Sequence, residues 1–256
     1  MKTLLLAIPV CALTFTVSLV PGKHGGLSAV QAQQSTAVAP VDTDRIVSAA
    51  TAKETEFRNA LGEYTFKRDV VVQTLGAGGQ ITGEYRRVSR LSFDESGKRV
   101  EKILQFPPPS LQAIGVSTED LDNLGGVQLF ALEASQAPLY NFKYVGKERI
   151  DEVELHMFDV SPKSLPDPKK VKDRLFQGRI WVDTEGHQIM KIRGKGMPEP
   201  KNIPFPTVET YRELIDERHW FPTYSYADEE LLLGGGGVVK IRMRVKFSEF
   251  ERVNRK

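Results

Sequence analysis

Cysteine is nearly absent from this chain of 256 residues, and its one cysteine, Cys11, lies in an apolar N-terminal stretch. A disulfide framework or a thiolate metal site is therefore excluded for the rest of the sequence. Histidine is also scarce, and His156, His187 and His219 stand about thirty residues apart, without the local spacing of zinc ligands. We interpret these three histidines as structural or surface residues.

Recognisable catalytic motifs are missing as well. The sequence has no Gly-x-Ser-x-Gly turn, no His-Glu-x-x-His helix and no phosphate-binding Gly-Lys-Ser/Thr loop. The acid pairs Asp151-Glu152 and Glu229-Glu230 are predicted to lie at turns, as solvated carboxylates. The glycine runs at 76–79 and 234–237 are predicted to be hairpin tips, because no helix follows them to form an anion site. These features indicate a protein that is not an enzyme and that takes no cofactor and no metal.

The chain carries nearly equal numbers of opposite charges, with 35 basic and 33 acidic residues. Removing residues 1–32 takes away Lys2 and Lys23 and leaves 33 of each. A neutral chain has no global field to attract nucleic acid, so we expect none as a partner.

The N-terminus has the pattern of an export signal. Lys2 precedes an apolar stretch at 4–20, and Val30-Gln31-Ala32 is a small-x-Ala cleavage pattern. We predict a signal peptide at 1–32, a flexible leader at 33–42, and one domain at 43–256 in the periplasm. An uncleaved membrane anchor is the alternative, although Pro9 interrupts the apolar run.

The mature part begins with one amphipathic helix and continues in hairpins. From Thr43, helical spacing places on one face Ile46, Val47, Ala50, Glu54, Phe57 and Leu61, with Gly62 as the stop. Period-two alternation then predicts ten strands: 64–75, 81–93, 99–106, 140–145, 153–160, 175–182, 189–193, 208–217, 221–227 and 238–250. The pattern predicts a mainly β, α+β protein with an antiparallel sheet that has one apolar face and one polar face.

The last strand shows the alternation without a slip. Its polar face carries Lys240, Arg242, Arg244 and Lys246, and the second strand adds Arg86, Arg87 and Arg90. This basic row could bind anionic headgroups or an acidic partner. A solvated convex face, guarded by long charged side chains against pairing at its edges, is the interpretation that the balanced charge favours.

An apolar insert separates the third and fourth strands. Pro107-Pro108-Pro109 ends the third strand, and Ser117 begins a predicted helix. We predict that this insert is a lid over the sheet, with lid and hinge residues Leu121, Leu124, Gly125, Gly126 and Phe130.

The run from Phe176 to Ile189, with Gly178-Arg179-Ile180-Trp181-Val182-Asp183 and a turn at 184–186, resembles a hairpin of the LolA/LolB-like family of periplasmic outer-membrane lipoprotein-sorting and carrier proteins. Residues 209–213, 220–222 and 245–250 continue the same order of elements. The resemblance implies a strongly curved antiparallel sheet, a half-barrel, with helices covering its concave face over an apolar cavity. It also implies an arginine that holds the lid, for which Arg68 and Arg179 are candidates.

The family resemblance implies a carrier that binds lipid or lipoprotein acyl chains for transfer within the cell envelope, as a monomer in transient contact with a membrane or membrane protein. Related domains act as envelope-stress sensors, so the alternative is a non-enzymatic sensor or protein-interaction module of the same fold with a self-filled core. The predicted lipid-facing residues, which also fit an ordinary core, are Phe66, Val70, Val72, Phe176, Ile180, Met190, Ile241, Met243 and Val245.

Overall fold

The computed structural model describes residues 41–117, 120–121, 132–167, 174–200 and 202–253. The predicted signal peptide at 1–32 and most of the leader at 33–42 lie outside these ranges. The cleavage after Ala32 therefore stays a prediction. Among the described residues, no helix is long and apolar enough to cross a membrane.

Helix α1, Thr43–Leu61, is confirmed where the spacing predicted it. The Asp42 side chain accepts a hydrogen bond from the backbone N–H of Arg45 at 3.1 Å, which satisfies one of the free donors of the first turn. The helix ends at Gly62. Its buried apolar side chains, Ile46, Ala50, Phe57, Ala60 and Leu61, form one stripe that needs a partner surface.

That partner is a single antiparallel sheet of ten strands, in the order β3-β2-β1-β10-β9-β8-β7-β6-β5-β4. Strands that follow one another in the sequence pair as hairpins, except β3 and β4, which form the two edges of the sheet; the first strand, β1, pairs with the last, β10. The curved antiparallel sheet predicted from the sequence is confirmed. The strands are β1 Tyr64–Leu75, β2 Ile81–Phe93, β3 Arg99–Gln105, β4 Tyr140–Ile150, β5 Val153–Pro162, β6 Leu175–Asp183, β7 Ile189–Met197, β8 Val208–Ile215, β9 His219–Leu232 and β10 Val238–Arg252.

Several local predictions are wrong. Strands β4 and β9 continue to Ile150 and Leu232, beyond their predicted ends at 145 and 227. Strand β7 continues to Met197, four residues beyond the predicted end, because Gly194 and Gly196 stay in register with Gly178 and Phe176 of β6. The pair at 229–230 lies within β9 and not at a turn. Cross-strand pairing with β10 keeps this charged pair in the sheet, opposite Ile241 and Lys240.

The core lies between α1 and the inner face of the sheet, where α1 packs on β7 and β9. An aromatic cluster fills the space at the C-terminal end of the helix. The ring of Phe221 lies 5.3 Å from Phe57, 4.9 Å from Tyr64 and 5.2 Å from Phe250, between centroids. Such tilted and edge-to-face pairs add to the free energy gained from apolar burial.

The opposite, outer face carries the basic row of β10. Arg242 pairs with Asp228 of β9 at 2.9 Å, and Lys240, Arg244 and Lys246 are exposed. On β2, Arg86 pairs with Asp69 at 2.9 Å. These cross-strand ion pairs balance part of the positive charge and favour the interpretation of a solvated face.

Candidate functional site

The predicted lipid-facing residues lie together on the inner face, with one exception. Eight of the nine are at most 4% exposed, and Met190 is half-buried beside an irregularity in the β6–β7 register. Seven of the eight belong to the main core cluster, and Ile241 belongs to a smaller one with Leu231 and Val239. We call this surface the apolar wall. Its described neighbours are the chain's own apolar side chains, so contact with a lipid stays a prediction.

Helix α1 and the described parts of the predicted lid cover the apolar wall, and we call those parts, residues 111–117, 120–121 and 132–136, the lid segment. The lid's side chains Leu121 and Leu132 are 2% and 3% exposed and join the core cluster. Leu111, Ile114 and Val116 also pack against that cluster. The predicted lid and hinge residues Leu124, Gly125, Gly126 and Phe130 lie outside the described residues.

A buried arginine connects the lid segment with the wall. Arg68 lies on the inner face of β1 between Phe66 and Val70 and is 3% exposed. Its Nη1 donates to the backbone carbonyl of Leu121 at 3.3 Å, and its Nη2 lies 3.0 Å from a carboxylate oxygen of Glu101. Of the two arginines proposed to hold the lid, Arg68 makes the contact.

Arg179, the other candidate, lies elsewhere. Its Nε donates to the carboxylate of Asp159 at 2.7 Å, on the outer face of β6 and β5. The prediction that Arg179 could hold the lid is therefore wrong, because strand alternation turns its side chain away from the lid.

Glu101, on edge strand β3, is the anionic partner of two inner-face arginines. Its carboxylate lies 3.0 Å from Arg68 Nη2 and 2.9 Å from Arg87 Nη2. Burial acts to raise the pKa of Glu101, but the opposing hydrogen bonds and the two guanidinium groups prevail, so its pKa is lowered. The carboxylate is therefore charged at neutral pH.

A second polar contact attaches the lid segment to α1. Glu133 accepts two hydrogen bonds from Arg58 Nη1, at 2.5 and 2.7 Å, and the backbone N–H of Ala134 donates to Thr55 Oγ1 at 3.1 Å. Burial acts to raise the pKa of Glu133, but hydrogen bonds from Arg58 and Ser135 outweigh it, so the pKa is lowered. Glu133 belongs to the lid segment itself, whereas Glu101 reaches the segment only through Arg68.

A polar patch, which the sequence reasoning missed, interrupts the apolar wall under α1. Glu54 and Arg212 form an ion pair with Nη–Oε distances of 2.5 and 2.9 Å, and each side chain is 2% exposed. Thr210 and Ser225 share a buried hydrogen bond of 2.9 Å beside them. The available signal was Glu54 itself, a charged residue on the apolar stripe of the predicted helix.

An open groove of about 590 Å³ runs along the N-terminal half of α1. One side is formed by Val47, Ser48 and Thr51 of the helix, and the other by residues 137–142, which include a short 3-10 helix at Ala137–Leu139. The groove gives solvent access to the boundary between α1 and edge strand β4.

Among the described residues, His156 and His219 lie in separate surroundings. His156 is buried beside Tyr144, whose hydroxyl lies 3.3 Å from Nδ1, and burial lowers the His156 pKa. His219 packs edge-on against Phe221. In the parts of the chain that the structure describes, no three His, Cys, Asp or Glu side chains are grouped as metal ligands.

Comparisons with known proteins return solved structures alone. No family model and no curated protein sequence matches the chain. A LolA superfamily protein from Nitrosomonas europaea is similar over 84% of this chain and 95% of its own, with 13% identity and a TM-score of 0.38. A DUF1329 family protein from Desulfovibrio piger is similar over 82% and 95%, with 12% identity and a TM-score of 0.41. The Mycobacterium tuberculosis lipoprotein LppX is similar over 83% and 99%, with 13% identity and a TM-score of 0.25.

Proposed function

We propose that this chain is an exported carrier that binds a lipid or lipoprotein acyl chain on the apolar wall and transfers it within the cell envelope. The observation that carries the proposal is Arg68, a buried cation on an apolar surface that reaches a backbone carbonyl of the lid. A permanent apolar core gains no stability from an arginine at this position, because burying a cation costs free energy.

The lid contacts suit a cover that opens. Arg68 with Leu121 and Arg58 with Glu133 are polar contacts that water can replace when the lid moves. Opening then exposes apolar surface, which an acyl chain can cover. Each buried methylene contributes about 0.8 kcal/mol, so a chain of about sixteen carbons contributes on the order of 10 kcal/mol before ordering costs.

One observation favours the second candidate, a sensor or protein-interaction module with a self-filled core. The apolar wall is packed against side chains of α1 and of the lid, including Phe57, Leu121 and Leu132. In the carrier, these side chains occupy the ligand's place in the closed form and leave it on opening. In the sensor, they stay there permanently.

Two measurements distinguish these functions. Native mass spectrometry of protein exported and purified from its own envelope should show a co-purifying lipid. The purified protein should also accelerate the transfer of a fluorescent acyl lipid from donor to acceptor vesicles. A clean mass of the polypeptide together with no acceleration would contradict the carrier and favour the sensor.

A further inference from the structure

The polar patch under α1 contains five side chains on the inner face. Glu54 comes from the helix, Thr210 and Arg212 from β8, and Thr223 and Ser225 from β9. All five are at most 9% exposed. Apolar residues of the core cluster border the patch on the same two strands, namely Val208, Phe221 and Ala227.

The strand register brings these side chains together. Thr210 is opposite Ser225, and Arg212 follows Thr210 by two residues on the same face. The β8–β9 register shifts between Tyr211 and Arg212, so that Arg212 is opposite Pro222 and Thr223 is the additional residue. The irregularity leaves Thr223 with no residue opposite it on β8 and places it next to Arg212.

Two polar atoms of the patch lack a hydrogen-bond partner among the described residues. These are the Nε of Arg212 and the Oγ1 of Thr223. Glu54 takes only the two Nη groups of Arg212, whose guanidinium also lies 5.1 Å from the ring centre of Phe57. A buried donor without an acceptor is costly and rare in folded proteins, and here it adjoins a buried cation.

We propose that this patch is the subsite for the anionic headgroup of an acyl lipid. The inference rests on the proposed function, which brings an acyl chain to the adjoining apolar wall. A carboxylate placed differently from that of Glu54, or a phosphate with its additional oxygens, can accept from Nε, an Nη group and the Thr223 hydroxyl together. The Glu54 carboxylate stands in for that anion in the closed form.

The exchange also couples binding to movement of α1. When the ligand's anion takes the place of Glu54 on Arg212, the patch keeps its charge balance and Glu54 can leave with the helix for solvent. A neutral lipid cannot do this, because it would leave Arg212 buried without a counter-charge. The subsite therefore selects anionic amphiphiles over neutral ones of the same chain length.

The test compares two probes with the same sixteen-carbon chain on delipidated protein, by isothermal titration calorimetry. We expect hexadecanoic acid to bind at least about tenfold more tightly than the neutral monohexadecanoylglycerol. Arg212→Met should abolish the difference in affinity between the two probes, because no buried cation then remains to favour the acid or to disfavour the neutral probe. Asp228→Asn, which breaks an ion pair on the outer face, is the matched control and should change neither affinity.

A double variant tests whether the effect of Arg212→Met comes only from leaving Glu54 buried without its partner. Glu54→Gln with Arg212→Met removes both charges of the pair and should bind the two probes equally. A third probe, hexadecanoyl lysophosphatidic acid, separates the two sources of the anion. Tighter binding than the acid assigns a phosphate headgroup, and weaker binding assigns a carboxylate.

The outcomes separate this inference from the proposed function. Equal affinity of the unmodified protein for the acid and the neutral probe would overturn the headgroup subsite but not the proposed carrier function. No binding of any probe would overturn the carrier itself.

Discussion

Arg68 on β1 and Leu121 in the lid segment are joined by a hydrogen bond of 3.3 Å between Nη1 and the backbone carbonyl. The same guanidinium reaches Glu101 on β3, so one buried side chain connects the lid to two strands. This linkage makes the position of the lid sensitive to a single residue.

Replacing Arg68 with methionine should loosen the lid. The variant keeps an apolar stem but loses both polar contacts, and we expect a loss of about 2–4 kcal/mol in the free energy of unfolding. Amide hydrogen exchange around Leu121 and Leu132 should rise by more than that at the strands of the core. Arg86→Met, on the outer face, should cost less than about 1 kcal/mol. Unchanged exchange at the lid would contradict the role of Arg68.

Acid should open the lid. The folded-state pKa values of Glu101 and Glu133 are below the ordinary value of 4.5, so their contribution to stability is present above that pH. It is lost as the pH falls through the lowered pKa values. An environment-sensitive dye on Ala134→Cys should report a transition below pH 4.5. The combination of Glu101→Gln and Glu133→Gln should flatten it, and a transition that survives both changes would exclude these groups as its cause.

The ion pairs Arg58–Glu133 and Arg212–Glu54, which join α1 to other segments, should differ in their contribution to stability. The Arg58 side chain is 52% exposed, whereas the side chains of Glu54 and Arg212 are each 2% exposed. Removing Arg58 should cost less, about 1–2 kcal/mol, because solvent reaches its guanidinium and Glu133, although 7% exposed, keeps the hydrogen bond from Ser135. Removing Arg212 alone should cost about 3–5 kcal/mol, because Glu54 stays buried without its partner. Urea unfolding of the two alanine variants measures this, and similar losses would contradict it.

Gly178, in the hairpin that carries the family resemblance, should not tolerate alanine. A Cβ at this position would lie 2.1 Å from the carbonyl oxygen of Arg193 and 2.5 Å from the Cα of Gly194, both backbone atoms that cannot turn away. We expect Gly178→Ala to cost about 1–3 kcal/mol or more in thermal or urea unfolding. Gly235→Ala, where nothing lies within 4 Å, is the control. An equal effect of the two would argue against close packing of β6 and β7.

Tyr140→Phe should destabilise the fold through one hydrogen bond. The Tyr140 hydroxyl accepts from the buried backbone N–H of Phe176 at 3.1 Å, and the substitution leaves that N–H unpaired. The expected loss is about 1–3 kcal/mol in the free energy of unfolding. Tyr224→Phe, at an exposed position on the outer face, should change it far less. Equal losses would contradict a stabilising hydrogen bond between the Tyr140 hydroxyl and the backbone N–H of Phe176.

Much of the architecture could be predicted from local patterns. The alternation in the last strand is repeated in its burial, with Ile241, Met243 and Val245 inside and Lys240, Arg244 and Lys246 outside. Helix α1 and strands β1 and β2 begin and end where predicted. These elements were predictable because side-chain direction follows from periods of 2 and 3.6 residues.

The polar contacts of the site were harder to predict. Arg68 was one of two equal candidates, and Arg212 was missed, although alternation places each on the inner face. The hydrogen bonds join Arg68 to Leu121 over 53 residues and Arg212 to Glu54 over 158 residues. Periodicity determines a face but not which distant partner lies across from it.

The sequence alone determined a helix followed by antiparallel hairpins with one apolar face, because each of these features depends on near neighbours in the chain. The tertiary structure decided that β1 pairs with β10 and that α1 lies over β7 and β9. That arrangement places Glu54 on Arg212, and the lid's own docking places Leu121 on Arg68. Contacts of this kind depend on the curvature and register of the whole sheet, which no short segment specifies.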